Sequence, residues 1–223
     1  MSKLEKIALP DYTRKEDWLN SISHMVGGGL SIIATLLCLF RAYQARSWAF
    51  AAVAVLYGFC MVAMYSCSSV YHALRPNNGK RAMRKVDHAM IFPMIAGTIT
   101  PYALFVIMPV NKTFGLIILI VAWVVVAAAI PLTIVIFNQT KVVQMILYLA
   151  LGWMVIFSIK ILWTCFDRTG FWLLLSGGIA YTLGAILYGI GAKKRYFHSV
   201  FHFFVLLGSI LHFFSLFFFI FVK

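Results

Sequence analysis

The chain has 223 residues, 63% of them hydrophobic and 11% charged, with a mean hydropathy of +0.93. Soluble domains are about 25% charged, so a compact soluble fold could not hide this much apolar surface, and the chain reads as an integral membrane protein. Its glycine, proline and cysteine contents exclude collagen-like, disordered and disulfide-scaffold classes. The net charge of +13 points here to an anionic lipid surface, and no nucleic-acid partner is expected.

Residues Met1–Asn20 are polar and mixed in charge, with no short apolar core leading to a small-residue cleavage site. The first apolar span is therefore expected to act as its own insertion signal. Seven stretches reach the roughly 20 apolar residues that a crossing helix needs. They are Asn20–Tyr43, Trp48–Leu74, Lys85–Met108, Thr113–Phe137, Lys141–Cys165, Gly170–Gly191 and Phe197–Val222. Ser23, Gly27 and Ser31 on the first span, and Ser176, Ala180 and Gly184 on the sixth, are spaced to let helix backbones approach closely. Pro93, Pro101 and Pro109 on the third span and Pro131 on the fourth predict kinks. Cys38, Cys60, Cys67 and Cys165 sit in apolar runs without CxxC spacing and read as packing residues.

Short polar seams such as Arg75–Lys80, Asn138–Thr140 and Asp167–Thr169 separate the spans, which predicts antiparallel neighbours in one bundle. The expected fold class is an all-α membrane protein, a seven-transmembrane-helix bundle with residues 1–19 as a short cytoplasmic segment and 20–223 as one domain. With the N-terminus in the cytoplasm, thirteen Lys and Arg fall inside, among them Lys3, Arg14, Arg75, Arg84 and Lys193. Five fall outside (Arg41, Arg46, Lys112, Arg168, Lys223), and Lys160 lies within a span. That asymmetry predicts a cytoplasmic N-terminus, an external C-terminus and residence in the cell membrane.

Ionisable residues inside spans are costly and need a reason. All six histidines (His24, His72, His88, His198, His202, His212) lie in or at the end of a span. Five of them fall at the cytoplasmic level, on four different helices. His198 and His202 share one helix face and can bind one metal ion, and His72 at the same depth supplies a third imidazole. Three histidines leave an open position of the catalytic type. Asp87 is the only carboxylate between Asp17 and Asp167; by itself it reads first as a helix cap and second as a proton acceptor beside a metal. Ser68 is four residues before His72 on the same face, where it can contact a ligand or bond its own helix. His24 and His88 are expected to give hydrogen-bonding support rather than to ligate, and His212 to join helices.

The run Glu16, Asn20, His24, the pattern Ser68-Ser69-Val70-Tyr71-His72, the pair Asp87-His88, the stretch His198-Ser199-Val200-Phe201-His202 and the segment Tyr181–Tyr188 resemble the haemolysin III family. That family is the bacterial branch of the progestin and adipoQ receptors, which include the adiponectin receptors. The resemblance covers the chain from about Glu16 to its end. It implies seven helices, a Zn2+ ion near the cytoplasmic leaflet held by His72, His198 and His202, and Ser68 and Asp87 beside it. The wider superfamily includes alkaline ceramidases. The expected function is therefore a zinc-dependent hydrolase of lipid amides or esters, tied to membrane homeostasis. Its expected partners are membrane lipids, ceramide-like amides or anionic headgroups. Two alternatives stand beside it: a non-enzymatic, zinc-stapled sensor of membrane state, and a haemolysin-type pore former, against which the uniformly apolar spans argue.

Overall fold

Five helix starts are capped by a polar side chain. The computed structural model describes residues 4–191 and 194–222; Lys3, Lys193 and Lys223, counted above for orientation, lie outside them. Helix α1 (Arg14–Gln44) opens on Thr13, whose hydroxyl accepts from the Glu16 backbone N–H while the Glu16 carboxylate accepts from the Thr13 N–H at 2.8 Å. Ser47 caps α2 (Trp48–Ala73), Asn77 caps α3 (Asn78–Tyr102) and Asn111 caps α4 (Lys112–Val135). Asp167 caps α7 (Arg168–Ile190). The fifth crossing is built of α5 (Phe137–Gly152), a 3-10 turn (Trp153–Ser158) and α6 (Ile159–Cys165). Helix α8 (Phe197–Phe219) follows Tyr196, which has φ 63°.

Seven crossings of membrane-spanning length and composition result, in the expected order. Two start earlier than hydropathy suggests. Helix α1 begins at Arg14 rather than Asn20, and α3 begins at Asn78 rather than Lys85. An apolar window rejects charges, but these charges are buried and partnered: Glu16, Asp17, Lys80 and Arg84 are all inside the fold. The capping role read first for Asp87 is thereby overturned, because Asn77 caps the helix and Asp87 is its tenth residue.

Small residues set the closest helix approaches. A Cβ on Gly27 would meet the Tyr65 ring at 2.6 Å, and one on Gly58 would meet Thr35 Oγ1 at 2.0 Å. On α7 the contact line is Gly177, Ala180 and Gly184 against α8; Ser176, expected on it, is exposed. Pro93, Pro101 and Pro131 lie inside their helices, while Pro109 falls in the turn beyond them. Just after Pro101, which has no N–H to donate, the backbone re-registers as a π-helical turn, Ala103–Ile107.

The segment before α1 lies across the His72 end of the bundle. Ile7 is buried, Arg84 donates to the Ala8 carbonyl and Arg81 to the Ile7 carbonyl. Asn138 donates to the Lys6 carbonyl, and Arg195 to the Asp11 carbonyl. Tyr12 ends this strap, with its ring stacked at 5.0 Å on that of His198. Burial under the strap raises the Tyr12 phenol above its ordinary pKa.

Candidate metal centre

His72 is in the last turn of α2, and His198 and His202 occupy the first two turns of α8. The structure brings all three together as the sequence suggests. His198 Nε2 is 3.2 Å from His72 Nε2 and 3.1 Å from His202 Nε2, and one ring nitrogen of each lies within 4.8 Å of those of the others. Zinc–imidazole bonds of about 2.0–2.1 Å in tetrahedral array place nitrogens about 3.3 Å apart, so the spacing suits one such ion.

The hydrogen bonds around the cluster define which nitrogens are free. Asp17 Oδ1 lies 3.1 Å from His72 Nδ1 and accepts its hydrogen. The Asn20 carbonyl, 3.2 Å from His202 Nδ1, does the same there. Each neutral ring therefore presents a bare lone pair on Nε2. The His198 ring holds at most one Nε2 hydrogen, which cannot satisfy both neighbours. A cation among the three nitrogens removes the conflict, so the donor set fits a divalent, imidazole-preferring metal.

The support comes from α1, at four-residue intervals that sequence reading attributed only to resemblance. Glu16 Oε1 accepts the Tyr196 N–H at 2.7 Å, holding the left-handed residue at the start of α8. Such a backbone costs a non-glycine residue about 1 kcal/mol, which this charge-assisted bond offsets. Asn20 Oδ1 accepts from Ser199 Oγ at 2.6 Å. His24 stacks on His202 with ring centroids 3.7 Å apart. Both ring nitrogens of His24 are buried, with no hydrogen-bond partner among the described residues.

Asp17 is the residue that sequence reading missed. Its second oxygen accepts from Lys80 Nζ at 2.5 Å, so one carboxylate ties α1 to His72 on α2 and to the start of α3. The only hint was a pair of acids, Glu16-Asp17, directly before an apolar helix.

Asp87 and Ser68, together with His198 and His202, line a cavity of about 460 Å³. His88 stands apart from the three-histidine cluster. Its Nδ1 donates to the Arg84 carbonyl at 2.9 Å and lies 3.4 Å from Asp87 Oδ2. The cavity walls are mostly apolar, among them Met64, Ile91, Ile95, Leu149 and Val205. Gly152, Trp153 and Val155, where the fifth crossing leaves α-helical geometry, also line it. Irregular backbone at membrane depth is tolerated where it borders a cavity. Val142 and Ile146 line the cavity while remaining largely exposed on the outer face of α5, so it reaches the lipid-facing surface between α5 and α7.

Fold and site define a multi-pass, seven-helix membrane protein with a buried three-histidine cluster that can hold a metal. Residues 12–213 match the family model described as haemolysin-III related, and the chain belongs to that family. It is 33% identical over 204 residues to the Hemolysin-3 homolog of Bacillus subtilis (strain 168), covering 91% of this chain and 93% of that one. It is 30% identical over 206 residues to Hemolysin-3 of Bacillus cereus, covering 92% of each.

Proposed function

We infer that this protein holds a zinc ion on His72, His198 and His202 and hydrolyses amide or ester bonds of membrane lipids. The observation that carries the reading is the joining of two chemistries in one buried place. His198 and His202, whose Nε2 atoms cluster with that of His72, line one apolar cavity together with the Asp87 carboxylate and the Ser68 hydroxyl. Zinc held by three neutral imidazoles acts as a Lewis acid and acidifies water, to a pKa of about 7 in carbonic anhydrase. Asp87 takes the proton of the attacking water as the new carbon–oxygen bond forms. It returns that proton to the leaving nitrogen or oxygen as the old bond breaks, giving a fatty acid and an amine or alcohol. Ser68, on the same cavity wall, donates its hydroxyl hydrogen to the attacking water or the developing oxyanion. The apolar walls hold the acyl chain and exclude bulk water.

Positive charge at the N-terminal side of α1, with Arg14, Arg75, Arg81 and Lys85 near the same helix ends as His72, supports a cytoplasmic-leaflet site and contact with anionic headgroups. One observation favours the alternative of a metal staple. The three histidines link α2 to α8, which also meet at Tyr65, whose hydroxyl donates to Ser209 Oγ at 2.6 Å. The name shared by the relatives suggests lysis, but the outward faces of the described helices are apolar, as at Met25, Ile33, Val124 and Phe214. They offer no polar stripe to line a pore.

The test is turnover of ceramides and simpler fatty amides by the purified, zinc-loaded protein beside Asp87→Asn and His202→Ala. The hydrolase reading expects wild-type turnover that falls in Asp87→Asn and is absent in His202→Ala. Equal rates in all three would overturn it. Bound zinc without turnover on any lipid would favour the staple.

A further inference from the structure

The cavity lined by His198 and His202 is also lined, further along α8, by a second polar group. His212 lies ten residues beyond His202 on α8, about 15 Å along the axis, and it is buried and lines the cavity. Its Nε2 is 3.0 Å from the Leu174 carbonyl. A carbonyl only accepts, so Nε2 carries the hydrogen and the neutral ring keeps Nδ1 as an acceptor. That Nδ1 is buried and has no hydrogen-bond partner among the described residues.

The direction of Nδ1 follows from Gly177. A Cβ there would come within 2.2 Å of His212 Cδ2 and 2.5 Å of Nε2, so this ring edge faces α7 and Nδ1 faces away from it. Tyr181, with its ring centroid 5.4 Å from that of His212, also lines the cavity. Its hydroxyl is 2.7 Å from Ser209 Oγ, and Ser209 gives its own hydrogen to the Val205 carbonyl. The Tyr181 hydroxyl is thus a second polar group beside His212. A buried acceptor such as His212 Nδ1, in a ring whose one hydrogen is already used, needs a donor. Between apolar walls a neutral O–H is far less costly to bury than an ammonium group.

We propose that the far end of the cavity is a hydroxyl-binding subsite for a lipid chain, with His212 Nδ1 as the acceptor and Tyr181 beside it. The hydroxyl it takes lies about 15 Å from the carbonyl carbon held at the histidines, a span of about twelve carbon–carbon bonds. This rests on reading the cavity as an acyl-chain site. It goes further by naming the chain: one hydroxylated near its middle rather than a plain saturated one. Water could satisfy the same acceptor, and the experiment separates the two sources of O–H.

The probes are octadecanoic acid and its 12-hydroxy and 6-hydroxy derivatives, titrated into the detergent-purified protein by isothermal calorimetry. A hydrogen bond to an otherwise unpaired buried acceptor is expected to make the 12-hydroxy acid bind about tenfold more tightly than the other two. The advantage should vanish in His212→Leu. Equal affinities for the three acids in the wild type would mean that water fills the site, and would overturn the subsite while leaving a lipid cavity. No binding of any acid would overturn the cavity reading and the subsite together. The wild-type comparison is decisive even if the variant does not fold.

Discussion

At the residue scale, most of the reactive chemistry was legible and most of its support was not. His198 and His202 announce themselves by spacing, and His72 by depth, because histidines are rare inside membranes and imidazoles at one level have few innocent uses. Asp17 stayed hidden because its partners, His72 and Lys80, are 55 and 63 residues away in sequence. A carboxylate holding a metal-binding histidine typically contributes 10–100-fold to metal affinity. Asp17→Asn should therefore weaken zinc binding by about that factor in chelator competition; unchanged affinity would show that the contact is only structural. Asp87 was placed on the correct helix but given a cap's role first, because its helix start was read seven residues late. Proton transfer by a positioned carboxylate contributes about 10²–10⁴-fold. Asp87→Asn should thus lower turnover within that range while zinc content stays at the wild-type level.

At the element scale, hydropathy found all seven crossings and failed at the ends where charges are buried. The first turns of α1 and α3 carry Asp17, Lys80 and Arg84, which find their long-range partners only once the bundle has formed, and Glu16, which adds Tyr196 and Arg195 to its local cap with Thr13. Composition alone also could not show that the fifth crossing changes helix type at Trp153–Ser158. The close approach of α1 and α2 gives a stability test. Thr35 is locked by its bond to the Ser31 carbonyl at 2.6 Å, so it has little freedom to move from a Cβ on Gly58. Gly58→Ala should destabilise the protein by about 1–3 kcal/mol, seen as a lower midpoint of unfolding in detergent. Gly29→Ala, where a Cβ meets nothing within 4 Å, should leave the midpoint unchanged or slightly raised.

At the scale of the whole molecule, the uneven distribution of Lys and Arg places the histidine cluster, the strap before α1 and the Asp17–Lys80 pair at one face of the membrane. A reporter fused to the C-terminus that is active only outside the cell should be active, and the same reporter fused to the N-terminus inactive. The reverse pattern would put the metal site in the other leaflet. The measurement that bears most directly on the protein as a whole is metal content. Protein purified in detergent without chelators should carry close to one zinc per chain, and His198→Ala, which removes the imidazole that touches both others, should carry none. A wild type without metal, or a variant that keeps it, would contradict the three-histidine site and the hydrolysis built on it.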